Sequence, residues 1–242
     1  MKSANEWASK IMVALDYPNE QAANRLIEVL KGIPCFVKVG MQLFYAAGPS
    51  FVYSLKEQGY HVFLDLKMHD IPNTVRGGAE SITRLGVDVF NVHAAGGVKM
   101  MEAAMEGVAK AASASESQPK VIAVTQLTST NEHTLHHEIG IVKPMADAVL
   151  HYASLAKQAG LHGVVASPQE VDLIKGSLGS SFITVTPGIR PSGAAIGDQS
   201  RVMTPKQAFD QGTDYVVIGR PITGAPDPRK AMEMIIEELL SE

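Results

Sequence analysis

Residues 63–74 read FLDLKMHDIPNT, and this stretch places charged side chains inside an apolar run. Asp65 and Lys67 interrupt residues that are typical of a buried β-strand, and Asp70 follows three residues after Lys67. Burying an unpaired charge is costly, so two carboxylates and an ammonium at the end of a buried strand need partners or a chemical task. We therefore expect a functional site here, and the rest of the chain indicates which fold presents it.

Similar short apolar runs recur along the whole chain. Eight of them are strand candidates: IMVALD (11–16), CFVKVG (35–40), HVFLDLK (61–67), VDVFNVHA (87–94), KVIAVTQLT (120–128), GVVAS (163–167), FITVTPGI (182–189) and DYVVIG (214–219). Nearly continuous apolar strands are typical of a parallel sheet covered by helices. Amphipathic stretches lie between the runs, for example at 19–32, 73–86, 145–160 and 227–240, and several end in glycine, a helix stop signal.

Eight strand–helix units in 242 residues predict an α/β fold, a single (β/α)8 TIM barrel over residues 1–242. A doubly wound open sheet is the main structural alternative. No change of composition and no long linker marks a domain boundary. Residues 111–119, AASASESQP, come nearest to low complexity and predict a surface turn.

Net charge, cysteine count and apolar runs bear on the protein's partners and its location in the cell. The net charge is −4, so there is no basic surplus to attract nucleic acid or an anionic membrane, and we expect neither. The one cysteine, Cys35, allows no disulfide within the chain, which fits a reducing cytoplasm. The N-terminus lacks the apolar run of a signal peptide, and no transmembrane span is evident. We expect a cytoplasmic protein.

Polar residues concentrate where the predicted strands end. They are Asp16, Lys38, Asp65, Lys67, Asn91, His93, Thr125, Thr128, Arg190 and Arg220. In a (β/α)8 barrel these ends form the catalytic face. Because residues two apart on a strand share a face, Asp65 and Lys67, together with Lys38 from the neighbouring strand, predict an alternating Lys–Asp–Lys array. A structural ion pair on the barrel rim is the alternative for any one of these charges.

Two glycine-rich stretches follow the seventh and eighth strand candidates, at 186–197 and 218–228. Barrels of this type frequently build phosphate sites there, from backbone N–H groups and a charge-assisted arginine fork. Arg190 and Arg220 are the candidate phosphate ligands. The segment GGVKM (96–100) is either a phosphate-binding helix start or a plain turn.

The three histidines of NEHTLHHEIG, His133, His136 and His137, raise the question of a metal site. No matching set of carboxylates or cysteines accompanies them, so we interpret them as a solvated loop or helix face. No metal ligands are predicted anywhere in the chain.

The segment D-x-K-x-x-D-I in FLDLKMHDIPNT resembles the signature of the orotidine 5′-phosphate decarboxylase family, in its bacterial branch. The likeness extends in order along the chain through VALD (13–16), KVG (38–40), VTQLTS (124–129), PGIRP (187–191) and VIGRPIT (217–223). It implies a homodimer that converts orotidine 5′-monophosphate to uridine 5′-monophosphate in pyrimidine biosynthesis. It also implies that no metal or organic cofactor takes part.

The resemblance assigns roles residue by residue. Lys67 would be the proton donor, in a catalytic group with Lys38, Asp65 and the partner subunit's Asp70. Asp16 and Lys38 would bind the ribose, Thr128 the base, and Gly219 and Arg220 the phosphate. Arg190 and Gln199 would belong to a loop that closes over the substrate. The remaining substrate-binding residues would be Pro187, Ile71 and Thr74, the last from the partner subunit.

Two alternatives stay open beside this function. One is another sugar-phosphate lyase or epimerase of the same barrel superfamily, whose relatives tend to use Mg²⁺ or another metal. The other is a non-catalytic nucleotide-binding barrel, which would have no need of Lys67 or of an alternating charge array.

Overall fold

The computed structural model describes residues 2–112, 118–191 and 203–241, and its centre is a closed barrel of eight parallel strands. The strands follow one another around the barrel in chain order, and the eighth pairs with the first. They are β1 (Ile11–Ala14), β2 (Phe36–Gly40), β3 (His61–Met68), β4 (Val89–His93), β5 (Lys120–Val124), β6 (Gly163–Val165), β7 (Ile183–Thr186) and β8 (Tyr215–Ile218). Each overlaps one predicted run, so the prediction of a (β/α)8 barrel is confirmed and the open sheet is excluded.

Helices surround the barrel and connect its strands. Those of the described residues are α1 (Ala4–Ala8), α2 (Glu20–Leu30), α3 (Met41–Glu57), α4 (Pro72–Arg84), α5 (Gly97–Ala112), α6 (Met145–Gln158), α7 (Val171–Leu178), α8 (Pro205–Asp210), α9 (Arg220–Thr223) and α10 (Pro228–Leu240). GGVKM thus opens α5 after one turn of 3₁₀ helix. Residues 113–117 of the predicted surface turn lie outside the described residues. No helix in the described ranges has the length and apolarity needed to cross a membrane.

Strand alternation divides the core into two layers. Outward residues such as Val37 and Leu64 join a large cluster between the strands and the helices. Inward residues form a smaller cluster inside the barrel: Met12, Ala14, Phe36, Phe63, Val89, Ile122, Val185 and Val217. Further along the same inward faces the residues become polar, as at Lys38, Asp65 and Asn91, because the interior widens into a cavity at the carboxyl ends of the strands.

The third strand departs from regular pairing at the motif. Leu64 pairs with Phe90 and Met68 pairs with Val92, so three residues of β3 lie opposite one residue of β4, Asn91. This is a β-bulge with two extra residues. The sequence analysis treated 61–67 as a regular strand, and the bulge is therefore a finding of the structure.

The opposite end of the barrel carries a repeated hydrogen bond. Asp88, His162 and Asp214 each precede an even-numbered strand by one residue and follow glycine by two, as in GVD, GLH and GTD. Each side chain accepts a backbone N–H from the preceding odd strand, at 2.7 Å from Val62, 3.0 Å from Val121 and 2.8 Å from Thr184, respectively. We call these three contacts the strand clamps.

Candidate active site

A cavity of about 580 Å³ opens at the carboxyl ends of the strands, where the sequence predicted the catalytic face. Nine of the predicted site residues line it: Asp16, Lys38, Asp65, Lys67, Thr128, Pro187, Arg190, Gly219 and Arg220. Apolar residues of the inner cluster, including Ala14, Phe63 and Val217, close its floor. The cavity thus has polar walls and an apolar floor, which suits a small, charged molecule.

The predicted alternating charge array is present and extends to four groups. Lys38 Nζ lies 3.1 Å from Asp16 Oδ1 and 3.2 Å from Asp65 Oδ2, and Lys67 Nζ lies 2.7 Å from Asp65 Oδ1. A continuous row of alternating charge therefore runs from Asp16, just after β1, through Lys38 of β2 to Asp65 and Lys67 of β3. Glycine at position 40 leaves room for it, since a Cβ there would lie 3.2 Å from both Asp16 Oδ1 and Lys38 Nζ.

The array stabilises its own ionisation. Burial alone would raise the pKa of Asp65, but Lys38 and Lys67, with hydrogen bonds from Lys67 and Asn91, hold that pKa below its ordinary value. Burial likewise opposes the charge on Lys38, yet Asp65 and Asp16 raise its pKa. Both groups are thus charged at neutral pH although they are less than a tenth exposed. The ion pairs answer the question raised by the motif, because each buried charge has a partner of opposite sign.

Lys67 adopts a backbone conformation that lysine rarely takes. Its φ is 51°, and among the described residues it is the one residue other than glycine with a positive φ. Its backbone N–H donates to Asn91 Oδ1 at 2.7 Å, and Asn91 Nδ2 donates to Asp65 Oδ1 at 2.7 Å. The left-handed conformation at a site of chemistry is a form of stored backbone strain.

Two histidines stack beside the array. The ring centroids of His69 and His93 are 5.6 Å apart. Burial lowers the pKa of His93, and the neighbouring His69 and Lys67 lower it further, so its ring is neutral at neutral pH. His93 therefore adds no competing positive charge next to Lys67.

The segment that follows β3 leaves the cavity of its own chain. Asp70, Ile71 and Thr74 are exposed and are not among the residues that line it. Asp70 Oδ1 accepts the backbone N–H of Ile71 at 2.6 Å, which turns the chain into α4. These three predicted site residues therefore do not line the cavity of their own subunit. Gln199 lies outside the described residues.

Across the cavity, the loops after β7 and β8 supply the other wall. Gly188, with a φ of 79°, turns the segment between Pro187 and Arg190 along this wall. Gly219 directly follows β8, and Arg220 begins the short helix α9. Both predicted arginines thus border the cavity on the side away from Lys67, as the placement of the glycine-rich stretches predicted.

The sequence analysis assigned no individual role to three polar side chains at this site. Gln126 and Ser129 line the cavity, and Asn91 bridges Asp65 and Lys67. Gln126 and Ser129 belong to the quoted segment VTQLTS, so the motif itself was their signal. Asn91 was recognised only as a polar strand end, because its role depends on the bulge in β3.

The three histidines of NEHTLHHEIG lie on the surface of the protein. His133, His136 and His137 are exposed around one turn of π-helix, Thr134–Glu138. Within the described ranges, no three His, Cys, Asp or Glu side chains are grouped as metal ligands would be.

Fold and site together define a (β/α)8-barrel enzyme with a lysine–carboxylate array at the mouth of the barrel. The chain belongs to the orotidine 5′-phosphate decarboxylase / HUMPS family, whose model matches residues 9–235. It is 52% identical over 227 residues to orotidine 5′-phosphate decarboxylase of Bacillus caldolyticus, covering 94% of this chain and 93% of that one. It is 51% identical over 225 residues to the Enterococcus faecalis enzyme of that name, covering 93% and 95%.

A solved structure supports the same assignment. The crystal structure of orotidine 5′-phosphate decarboxylase from Lactobacillus acidophilus superimposes with a TM-score of 0.85 at 45% sequence identity, covering 96% of this chain and 99% of that one. The resemblance inferred from the motif is confirmed at the level of the family.

Proposed function

We propose that this protein decarboxylates orotidine 5′-monophosphate to uridine 5′-monophosphate, the last step of pyrimidine nucleotide synthesis. The observation that carries the proposal is the row of alternating charge from Asp16 to Lys67 at the mouth of a cavity of about 580 Å³. Membership of the family, and relatives about half identical over nearly the whole chain that bear this enzyme's name, support it.

Lys67 is the proton donor in this proposal. Breakage of the bond between C6 and the carboxylate releases CO₂ and leaves an electron pair at C6 in the plane of the pyrimidine ring. The ammonium of Lys67 stabilises that pair and then transfers one proton to C6, which leaves a neutral amine for solvent to reprotonate. A unit charge about 4 Å away is worth about 4 kcal/mol at an effective dielectric of 20, or roughly three decades in rate.

The other groups position the substrate. Asp16 and Lys38 hold the ribose hydroxyls, and Thr128 contacts the base. Gly219 and Arg220 bind the phosphate at the far wall, with Pro187 and Arg190 beside them and Gln199 in the loop that closes over the nucleotide. Binding energy at the phosphate, remote from C6, is available to fix the reacting carbon against Lys67.

The active enzyme is, in this proposal, a homodimer whose sites are shared. Asp70, Ile71 and Thr74 are exposed at the mouth of the barrel, where Asp70 of the partner subunit completes the charge array and the partner's Ile71 and Thr74 touch the nucleotide. Ile71 is 67% exposed, and Met41 and Tyr45, which follow the neighbouring strand, are 44% and 74% exposed. Exposed large apolar side chains on the segments that follow β2 and β3 support an interface there.

A cytoplasmic location belongs to the same proposal. The sequence has one cysteine, Cys35, so the chain forms no internal disulfide, which fits a reducing compartment.

The test is to follow the ultraviolet absorbance of orotidine 5′-monophosphate with purified protein. We expect the substrate band to disappear at a rate proportional to protein concentration, with uridine 5′-monophosphate as product. Unchanged turnover after treatment with a chelator would separate this function from a metal-dependent lyase or epimerase of the same superfamily. A well-folded protein that leaves the absorbance unchanged would sink the proposal.

A further inference from the structure

The bulge in β3 leaves backbone groups without ladder partners at Lys67, where the charge array ends. Asp65, Leu66 and Lys67 lie between the paired residues Leu64 and Met68, opposite Asn91 alone. In a bulge the extra residues lose their partners in the strand ladder. A buried N–H without a partner is unfavourable, so the Lys67 N–H needs an acceptor from elsewhere.

Asn91 supplies that acceptor and a second contact with the same amide group. It faces the barrel interior from β4 and is 1% exposed. Its Oδ1 accepts the Lys67 N–H at 2.7 Å, and its Nδ2 donates to Asp65 Oδ1 at 2.7 Å. Asp65 Oδ1 is also the atom that binds Lys67 Nζ. One side chain thus holds both ends of the ion pair, Lys67 by its backbone and Asp65 by its carboxylate.

This arrangement fixes where the Lys67 ammonium lies. At a φ of 51° the side chain leaves the backbone in a direction that a regular strand would not give, and that conformation persists only if its surroundings hold it. The Asn91 amide is such a contact. The hydrogen bond to Asp65 also leaves its other oxygen, Oδ2, facing Lys38 Nζ at 3.2 Å.

We propose that Asn91 is a positioning residue for the decarboxylation, which sets the place of the Lys67 ammonium and of the Asp65 carboxylate without touching the substrate. This inference rests on the proposed function, and it adds a residue that the charge array and the cavity lining leave out. An amide is the side chain required, because one contact needs an acceptor and the other a donor.

The experiment compares Asn91→Ala, which removes both contacts, with Asn91→Asp, which keeps the acceptor, loses the donor and has nearly the same shape. The matched control is Thr184→Val, an isosteric loss of a hydroxyl from a fully buried strand residue at the opposite end of the barrel. Three quantities are measured for each protein: kcat and KM for orotidine 5′-monophosphate, affinity for uridine 5′-monophosphate, and hydrogen exchange at the Lys67 amide by nuclear magnetic resonance.

We expect Asn91→Ala to lower kcat about 10- to 100-fold, as small misplacements of catalytic groups do, while KM and product affinity change less than about threefold. Exchange at the Lys67 amide should become at least about tenfold faster, since its acceptor is gone. Asn91→Asp should keep the amide protected yet lose kcat, because a second carboxylate replaces the donor to Asp65. Thr184→Val should keep kcat. If Asn91→Ala fails to fold, Asn91→Asp carries the same test.

Wild-type kcat in the folded Asn91 variants would overturn the inference, and so would equal losses of kcat and product affinity, or an equal loss of kcat in Thr184→Val. In each of these cases the wild-type protein still turns over its substrate, and the proposed function stands. Absence of turnover in the wild-type protein would instead overturn the proposed function, and the inference with it.

Discussion

Lys67 combines the proposed role of proton donor with an unusual backbone conformation. Its ammonium binds Asp65 at 2.7 Å, and its backbone is the one non-glycine position with a positive φ in the described ranges. A lysine that had only to neutralise Asp65 could do so from a regular strand without strain. The strain is therefore better explained by a requirement on where the ammonium lies than by stability.

Lys67→Ala should abolish most of the turnover. The estimate of about 4 kcal/mol for one fixed charge corresponds to a loss of roughly 10³-fold in kcat. The measurement is kcat for orotidine 5′-monophosphate, with affinity for uridine 5′-monophosphate as the control for an intact site. A variant that keeps more than about a tenth of the wild-type rate would contradict the role of proton donor.

Arg220→Ala tests whether Arg220 binds the phosphate group of the substrate. Arg220 borders the cavity where glycine-rich loops of barrels bind phosphate, so its loss should weaken turnover of the nucleotide. Turnover of orotidine, which lacks the phosphate, should fall less. The ratio of kcat/KM values for the two substrates is the measurement, and equal losses on both would mean that Arg220 acts elsewhere.

At the scale of the element, the alternation of side chains along a regular strand allowed the inward residues to be predicted from the sequence. The bulge in β3 breaks that alternation, so the contacts that depend on it could not be predicted. Asp65 and Lys38 were placed correctly, since inward residues of neighbouring parallel strands meet at the barrel mouth. The bulge after Leu64 has no signature in the apolar pattern, so the bridging role of Asn91 was not foreseen. The role proposed for Asp70 comes from the family resemblance alone, because Asp70 does not line the cavity of its own chain.

The strand clamps give the amino end of the barrel its own pH dependence. His162 accepts the Val121 N–H through Nδ1, and protonation of Nδ1 would remove the acceptor. Burial, and after it Lys120, lowers the pKa of His162 below its ordinary value of 6.5. His162 therefore binds a proton more readily in the unfolded chain than in the folded one. The stability that neutral His162 contributes to the folded state is lost as the pH falls below about 6.5.

His162→Asn isolates this effect, because the asparagine oxygen occupies the place of Nδ1 but does not titrate. Between about pH 7.5 and pH 5.5 the wild-type protein should lose more stability than the variant, as measured by the midpoint of urea unfolding. His93, whose pKa burial also lowers, is common to both proteins and cancels in the comparison. Identical pH profiles for the two proteins would exclude His162 as the source.

At the scale of the whole molecule, the proposed sharing of sites between subunits predicts the activity of mixed dimers. If Asp70 completes the partner's array, a dimer of one Lys67→Ala chain and one Asp70→Asn chain has both defects in one site and none in the other. Random reassortment makes half of the dimers mixed, each with one intact site in two. The mixture should therefore regain about a quarter of wild-type activity.

The measurement is to unfold and refold the two inactive variants together, or to co-express them, and to assay the product. Exchange of subunits is verified with a tag on one chain. Activity that stays at the average of the two variants, although subunits exchange, would place Asp70 in the site of its own chain.

The pairing of β8 with β1 has a consequence for chain connectivity. Met12 lies opposite Val217 in the closing pair, and α1 packs against α10, so the first and last helices are neighbours. A circular permutant that joins α10 to α1 and opens the exposed link between Ser180 and Ser181 places its new ends at the amino end of β7, away from the cavity. It should fold and keep wild-type kcat, since such exposed links tolerate opening. A folded permutant with a much lower kcat would mean that the geometry of the site depends on the native chain connectivity as well as on the closed barrel.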